Sequence, residues 1–186
     1  MPILGIMASA MSANLWQPQG AYDALATVTV PSGGAASVTF AGIPNTYKHL
    51  QIRCFVKSSL AGNTSALAIQ YNSVTTAYFH HGMGGDGASP FAYAITNTNT
   101  AGGSFIAGTA AASVFGAVII DILDYTSADK NKTTRILSGA DFNGTGQIRF
   151  SSGSLALTSP ITSLNLFDIN GGTLSQYSQF SLYGVR

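Results

Sequence analysis

The stretch Lys48-His-Leu-Gln-Ile-Arg-Cys-Phe-Val-Lys57 alternates with a period of two residues. Leu50, Ile52, Cys54 and Val56 fall on one side of an extended chain, and a mostly polar set falls on the other. This period predicts a β-strand with one buried face. Cys54 is the single cysteine and shares the apolar side, so we expect a buried thiol and no intrachain disulfide.

A second stretch, Val114-Phe-Gly-Ala-Val-Ile-Ile-Asp-Ile-Leu123, is an almost unbroken apolar run. A run of this kind is typical of a central strand that is covered on both faces. Asp121 lies inside it, and a carboxylate there needs a cation or hydrogen bonds to stay ionised. We expect Arg135, on the strand that follows, to form a structural ion pair with Asp121.

Period-two segments and Gly, Asn and Ser turns continue on both sides of these stretches. Ala26, Val28 and Val30 alternate before Ser32-Gly33-Gly34, and Val38 and Phe40 alternate after it, which predicts a hairpin. Roughly ten such strands, with turns at short intervals, predict an all-β fold, an antiparallel β-sandwich that is jelly-roll-like. The chain contains no Glu, which agrees with a scarcity of helices.

The composition is poor in charge. The 186 residues include 8 Lys+Arg and 7 Asp+Glu, so 8% of the chain is charged against about 25% in ordinary soluble domains. A hydrophobic fraction of 46% excludes a disordered chain, and a net charge of +1 argues against free nucleic acid as a partner. We expect copies of the chain or a larger assembly to cover much of its surface.

Residues 1–20 are predicted to form an extended apolar N-terminal arm, and residues 21–186 one β-sandwich domain. The first charge is Asp23, and no cation precedes Lys48, so a secretory signal is not expected; no apolar run is long enough to span a membrane. The arm either packs on its own domain or docks on a neighbouring subunit. Its candidate partner-binding residues are Ile3, Leu4, Ile6, Met7, Met11, Leu15 and Trp16.

The segment His80-His81-Gly82-Met83-Gly84-Gly85-Asp86-Gly87 matches a dinucleotide-binding pattern by its letters. No helix is predicted after it, so we expect no nucleotide site. Adjacent histidines in an extended chain point to opposite sides, which disfavours a metal site. Residues 81–108 are rich in Gly, Ala, Thr and Asn, and we predict long loops around one or two weak strands, with the histidines exposed on a turn.

No nucleophile, carboxylate pair or phosphate-binding motif accompanies these residues. We therefore expect no enzymatic activity, no cofactor and no metal. The loops could instead contact a partner or a host glycan. The candidate residues for that contact are Tyr78, His80, His81, Asp86, Phe91 and Tyr93.

Three segments together resemble small structural proteins of tailed bacteriophages. They are residues 43–53, residues 114–125 with Lys132-Thr-Thr-Arg135, and the terminal Gln179-Phe-Ser-Leu-Tyr-Gly-Val-Arg186; the opening Leu4-Gly-Ile-Met-Ala-Ser9 is also similar. The resemblance implies a virion component with a jelly-roll-like body, assembled in the host cytoplasm, and carries over no catalytic residues.

Two functions follow from that resemblance. The first is a capsid decoration or cement protein, expected to be a homotrimer that contacts other virion proteins such as the major capsid protein. The second is a tail-fibre or tail-tip module whose loops bind a host surface glycan. Neither function involves a membrane.

Overall fold

The computed structural model describes residues 20–109, 112–142 and 144–186. These residues form twelve strands. The strands are β1 (Tyr22–Thr29), β2 (Ser37–Ala41), β3 (His49–Val56), β4 (Thr64–Tyr71), β5 (Tyr78–Gly85), β6 (Pro90–Thr98), β7 (Ser104–Ala107), β8 (Gly116–Leu123), β9 (Lys132–Asp141), β10 (Gly146–Leu155), β11 (Ser163–Asp168) and β12 (Gln179–Val185). Within this part of the chain, no helix is long and apolar enough to cross a membrane.

The strands form two antiparallel sheets, as the period-two pattern predicted. The larger sheet has the order β1-β12-β3-β8-β9-β10-β5-β6, and the smaller has the order β2-β11-β4-β7. The first four strands of the larger sheet and the four of the smaller one make a jelly-roll-like sandwich. The remaining four strands continue the larger sheet beyond β8, and we call β9, β10, β5 and β6 the extension.

The core lies between the two sheets. Leu50, Ile52 and Ile120 from the larger sheet are fully buried, as are Leu67 and Leu164 from the smaller sheet. Cys54 is buried in the same cluster, and burial raises the pKa of its thiol. A thiol in that state is unreactive, which agrees with the sequence-based expectation for this residue.

The predicted hairpin around Ser32-Gly33-Gly34 is wrong. β1 pairs with β12 in the larger sheet, whereas β2 pairs with β11 in the smaller one. Gly33 and Gly34 adopt positive φ, and Gly34 donates a backbone hydrogen bond to Pro31, so the turn exists but carries the chain from one sheet to the other. An alternating pattern sets which face of a strand is buried but does not choose its partner strand.

The prediction that residues 114–123 are covered on both faces is also wrong within the described residues. β8 is central in its sheet, between β3 and β9, but its side chains alternate between buried and open. Ile120 and Ile122 face the smaller sheet, whereas Ile119 on the opposite face is 40% exposed. The smaller sheet covers one side only, so the apolar run supplies more hydrophobic surface than the fold buries.

Candidate interaction surface

The outer face of the larger sheet, which points away from the smaller sheet, carries a row of exposed apolar side chains. Ile119 on β8 lies opposite Leu137 on β9, which lies opposite Phe150 on β10, which in turn lies opposite Met83 on β5. Ile148 lies on the same face in the next row, and both it and Met83 are 60% exposed. We call Ile119, Leu137, Phe150, Met83 and Ile148 the apolar strip.

Small residues lie beside Ile148 and open a groove along the strip. Ala117, Gly139 and Gly85 occupy the same cross-strand row as Ile148. A groove of about 860 Å³ follows this row and reaches Phe115. A flat β-sheet rarely offers a concave apolar surface. Apolar side chains from another chain segment can fill this groove and remove its lining from water.

The apolar surface continues at one end of this row. Phe55 on β3 pairs with Ala117 and is 63% exposed, and Tyr177, just before β12, is also exposed. Phe55 and Tyr177 line a second groove that also reaches Phe115. The strip is therefore part of a longer apolar band.

Polar residues border the strip on its other side. Arg135 Nη2 lies 3.1 Å from Asp121 Oδ2, directly across β8 and β9, and Gln51 Nε2 donates a 2.7 Å hydrogen bond to Asp121 Oδ1. The ion pair expected from the sequence thus lies on the outer face, with the Arg135 side chain 56% exposed. His81 and Ser152 continue this row on β5 and β10.

The outer face over β1, β12 and β3 is mostly polar and is organised by one arginine. The Arg53 guanidinium lies between the rings of Tyr22 and Tyr183, 5.2 Å and 5.1 Å from their centroids. Arg53 also donates a hydrogen bond to Gln51 Oε1. Cation–π contacts of this kind hold exposed aromatic rings flat against a surface and leave a charged group in water.

The Gly-rich segment is a β-hairpin, so the prediction of long loops over residues 81–108 is wrong. β5 and β6 pair along their length, with a register shift near Tyr78. Phe91 and Tyr93 lie across from Gly84 and Gly82, and a Cβ at Gly82 would come within 2.4 Å of the Tyr93 ring. Aromatic rings from the partner strand cover these glycines and leave no room for a side chain at their positions. The residue pattern of the motif does not reveal this packing.

Arg149 fixes these rings from the next strand. Its guanidinium lies 5.3 Å from the Phe91 centroid, 5.9 Å from that of Tyr93 and 5.7 Å from that of Phe105. Phe91 and Tyr93 are themselves stacked. The inner face of the extension is therefore closed by aromatic packing within the chain, whereas its outer face is open.

The two histidines point to opposite faces of β5, as expected for neighbours in a strand. His81 is exposed on the outer face, but His80 is buried on the inner face, so the prediction of a turn with two surface histidines is wrong. Neither ring nitrogen of His80 has a hydrogen-bond partner, and its ring meets that of Tyr93 edge-on. Burial lowers the pKa of His80, so the imidazole is neutral near pH 7.

The six residues predicted to contact a partner or glycan therefore do not form one surface. Tyr78 has no exposed area; its hydroxyl donates to the Val74 carbonyl and accepts from the Tyr71 amide, so it cannot contact a partner. His80 is buried as described above. Asp86 sits in the turn between β5 and β6, where the backbone N–H groups of Ser89 and Ala88 lower the pKa of its carboxyl.

Buried polar groups elsewhere serve the fold. Asp168 accepts hydrogen bonds from the hydroxyls of Ser58 and Ser65, and the Lys132 ammonium donates to three backbone carbonyls. Desolvation lowers the pKa of Lys132. Among the residues that the structure describes, no group of three or more His, Cys, Asp or Glu side chains is placed to hold a metal ion.

The arm residues named from the sequence, Ile3 to Trp16, lie outside the described residues. Sequence reasoning misses the apolar strip because it places Ile119 in a strand buried on both faces and Met83 in a segment of long loops. Comparison with protein-family models, with curated proteins and with solved structures gives no match. The surface itself therefore has to indicate the function.

Proposed function

We propose that the protein is a structural subunit of a bacteriophage virion, a capsid decoration or cement protein whose apolar strip is covered by other subunits. The observation that carries the proposal is the apolar strip, which runs without interruption across the outer face of β8, β9, β10 and β5. Exposed apolar patches of this extent on a soluble protein usually mark interaction sites.

The charge distribution supports the same proposal. Across the two rows of the strip, from β8 to β5, no side chain is charged, while Asp121, Arg135 and His81 lie at the border. An apolar centre with a polar rim is the usual anatomy of a subunit interface. The bacteriophage assignment itself rests on the resemblance of the strand segments described above.

The tail-associated alternative draws less support. It required loops with accessible tyrosines, but Tyr78 is buried and Tyr93 is packed against Phe91 and Arg149. A glycan site normally offers exposed aromatic rings beside polar groups. The described part of the β5–β6 hairpin does not combine these features, so we favour the structural role.

Copy number in purified particles tests the proposal. Quantitative mass spectrometry against the major capsid protein should give hundreds of copies per particle, with antibody label over the head. A handful of copies confined to the tail tip would overturn the decoration role. Absence from particles would overturn the virion assignment altogether.

A further inference from the structure

We infer that the apolar strip of one copy binds the N-terminal arm of a neighbouring copy of this chain. The inference rests on the proposed function and names the occupant of the surface on which that function depends. The arm carries no charge, since residues 1–22 contain no Asp, Lys or Arg; the other long charge-free stretches, residues 24–47, 58–85 and 87–120, lie within the predicted sandwich domain. Its length and its point of attachment to the sheet also bear on which copy it covers.

The chemistry of the arm matches that of the strip. The arm offers Ile, Leu, Met and Trp side chains separated by Gly, Ala and Ser, which suits insertion into a groove lined by Ala117, Gly139 and Gly85. The two cross-strand rows of the strip carry no charged side chain, so burial of apolar area there is not opposed by an unpaired ion; Asp86 and Asp141 also line the groove beside these rows. A charged or strongly polar partner would not find complementary groups on the strip.

The direction of β1 argues against the arm of the same chain. Tyr22, at the start of β1, is in the cross-strand row of Val185 and His49, at the end of the sheet remote from the strip. Ala21 continues β1 away from the strip, because the Arg186 amide still donates to the Ala21 carbonyl. An arm in the same chain would therefore have to reverse its direction immediately.

Distance adds to this argument. From Ala21, the nearest strip residue, Ile119, lies three strands across and about five residues along, roughly 22 Å away. The five residues from Ala21 back to Trp16 span at most about 17 Å. In the same chain, Trp16 therefore cannot reach Ile119, whereas the arm of a neighbouring copy is not tied to Ala21 of the copy that it covers.

Exchange of arms also gives a closed assembly. If each copy extends its arm onto the next copy, the contact is head-to-tail, and it closes into a ring when the rotation between copies allows it. The predicted homotrimer is one such ring. Every strip in it would be covered without any flat face-to-face packing of the sheets.

Disulfide trapping between two differently tagged chains tests the inference. One chain carries Met7→Cys in the arm and the other carries Ala117→Cys in the groove; Ile6→Cys and Met83→Cys provide a second pair in case the first is misaligned or misfolded. Both full-length chains are produced in the same cell, and the purified protein is oxidised. Thr27→Cys, on the outer face of β1, is the control partner for the arm cysteine, and buried Cys54 does not compete.

A disulfide-linked dimer containing both tags, at least tenfold more abundant than with Thr27→Cys, supports the inference. Three results overturn it. The first is an intrachain disulfide, without the mixed dimer, in a chain that carries both Met7→Cys and Ala117→Cys. The others are a dimer linked through two Ala117→Cys groups, and no disulfide with either pair. If the mixed dimer is absent but the copy number in particles is high, the proposed function stands and only the occupant is wrong.

Discussion

The outer face of the eight-stranded sheet differs between its two halves. Over β1, β12 and β3 it is mostly polar, and Arg53 holds Tyr22 and Tyr183 in place. Over β8, β9, β10 and β5 it carries the apolar strip beside one polar row, and nothing in the described residues covers the strip. Both halves are antiparallel strands of one sheet, and both bury their inner side chains. The difference therefore lies in side chains that the fold of a single chain does not need.

A surface that folding does not require, and that solubility disfavours, is best explained by binding. The buried inner faces of both sheets would then supply stability, and the outer face over β8, β9, β10 and β5 would supply the contact surface. Substitutions should separate the two roles, because inner and outer residues alternate along the same strands.

The largest effect is expected from neighbouring isoleucines of β8. Ile120→Ala removes a buried side chain and should lower the free energy of unfolding by about 2–5 kcal/mol. Ile119→Ala, the same change on the outer face, should cost under about 1 kcal/mol. Urea unfolding of the dilute protein measures both. Equal losses would mean that the outer face is already buried in the single chain.

The reverse pattern is expected for assembly. Phe150→Asp places a charge in the strip and should reduce incorporation into particles at least tenfold, equivalent to about 1.4 kcal/mol, with little change in unfolding. Ser152→Asp is the matched control, since Ser152 lies two residues along β10 on the same face but in the polar row. If both variants are incorporated normally, the strip is not an interface.

The hairpin of the extension can be tested through its glycines. Gly82→Ala would bring a methyl group within 2.4 Å of the Tyr93 ring and should cost about 1–3 kcal/mol through overpacking. Gly85→Ala has only a 3.6 Å neighbour and should change stability by less than about 0.5 kcal/mol. Hydrogen exchange of β5 and β6 would report the loss. Equal protection in the two variants would mean that the Tyr93 ring is not seated on Gly82.

A smaller, pH-dependent effect is expected from His80. Its folded pKa is below the ordinary value of 6.5, so the folded state resists protonation more than the unfolded state does. Stability should be fully present above about pH 6.5 and should fall as the pH drops through the folded pKa. His80→Phe should remove this part of the pH dependence of Tm, while His81→Asn, on the outer face, should retain it. An unchanged profile in His80→Phe would show that the imidazole is not buried.

The smallest effect is expected from the ion pair at the border of the strip. Arg135 is largely exposed, so a double-mutant cycle with Arg135→Gln and Asp121→Asn should give a coupling of about 0.2–1 kcal/mol. Thermal unfolding at low and high salt measures it, and salt should reduce it. A coupling above about 2 kcal/mol would mean that the pair is buried, as it would be if a partner already covered this face.

Sequence periodicity predicted the two-sheet architecture and the inward side chains of β3, because burial repeats every second residue along a strand. It could not predict the pairing of β1 with β12, since partner choice depends on contacts far apart in the chain. The Gly-rich segment was misjudged because a glycine beneath an aromatic ring and a glycine in a loop look alike as letters. Asp121 and Arg135 were matched correctly across the turn because that pairing is local.

The apolar strip was visible in the sequence in one respect. The run through β8 predicted burial on both faces, and the structure covers only one. An apolar run is informative when one folded chain buries fewer of its residues than the run predicts. The remaining residues can be buried by a neighbouring subunit.

Cysteine labelling of the strip tests the central claim most directly. Ile148→Cys would be reacted with a maleimide in the free protein and in purified particles, with Thr27→Cys on the polar half as the reference site. Ile148→Cys should react readily in the free protein and at least tenfold more slowly in particles, while Thr27→Cys should change little. Equal labelling of Ile148→Cys in both states would contradict the account, because the strip would then be open to solvent in the assembled form.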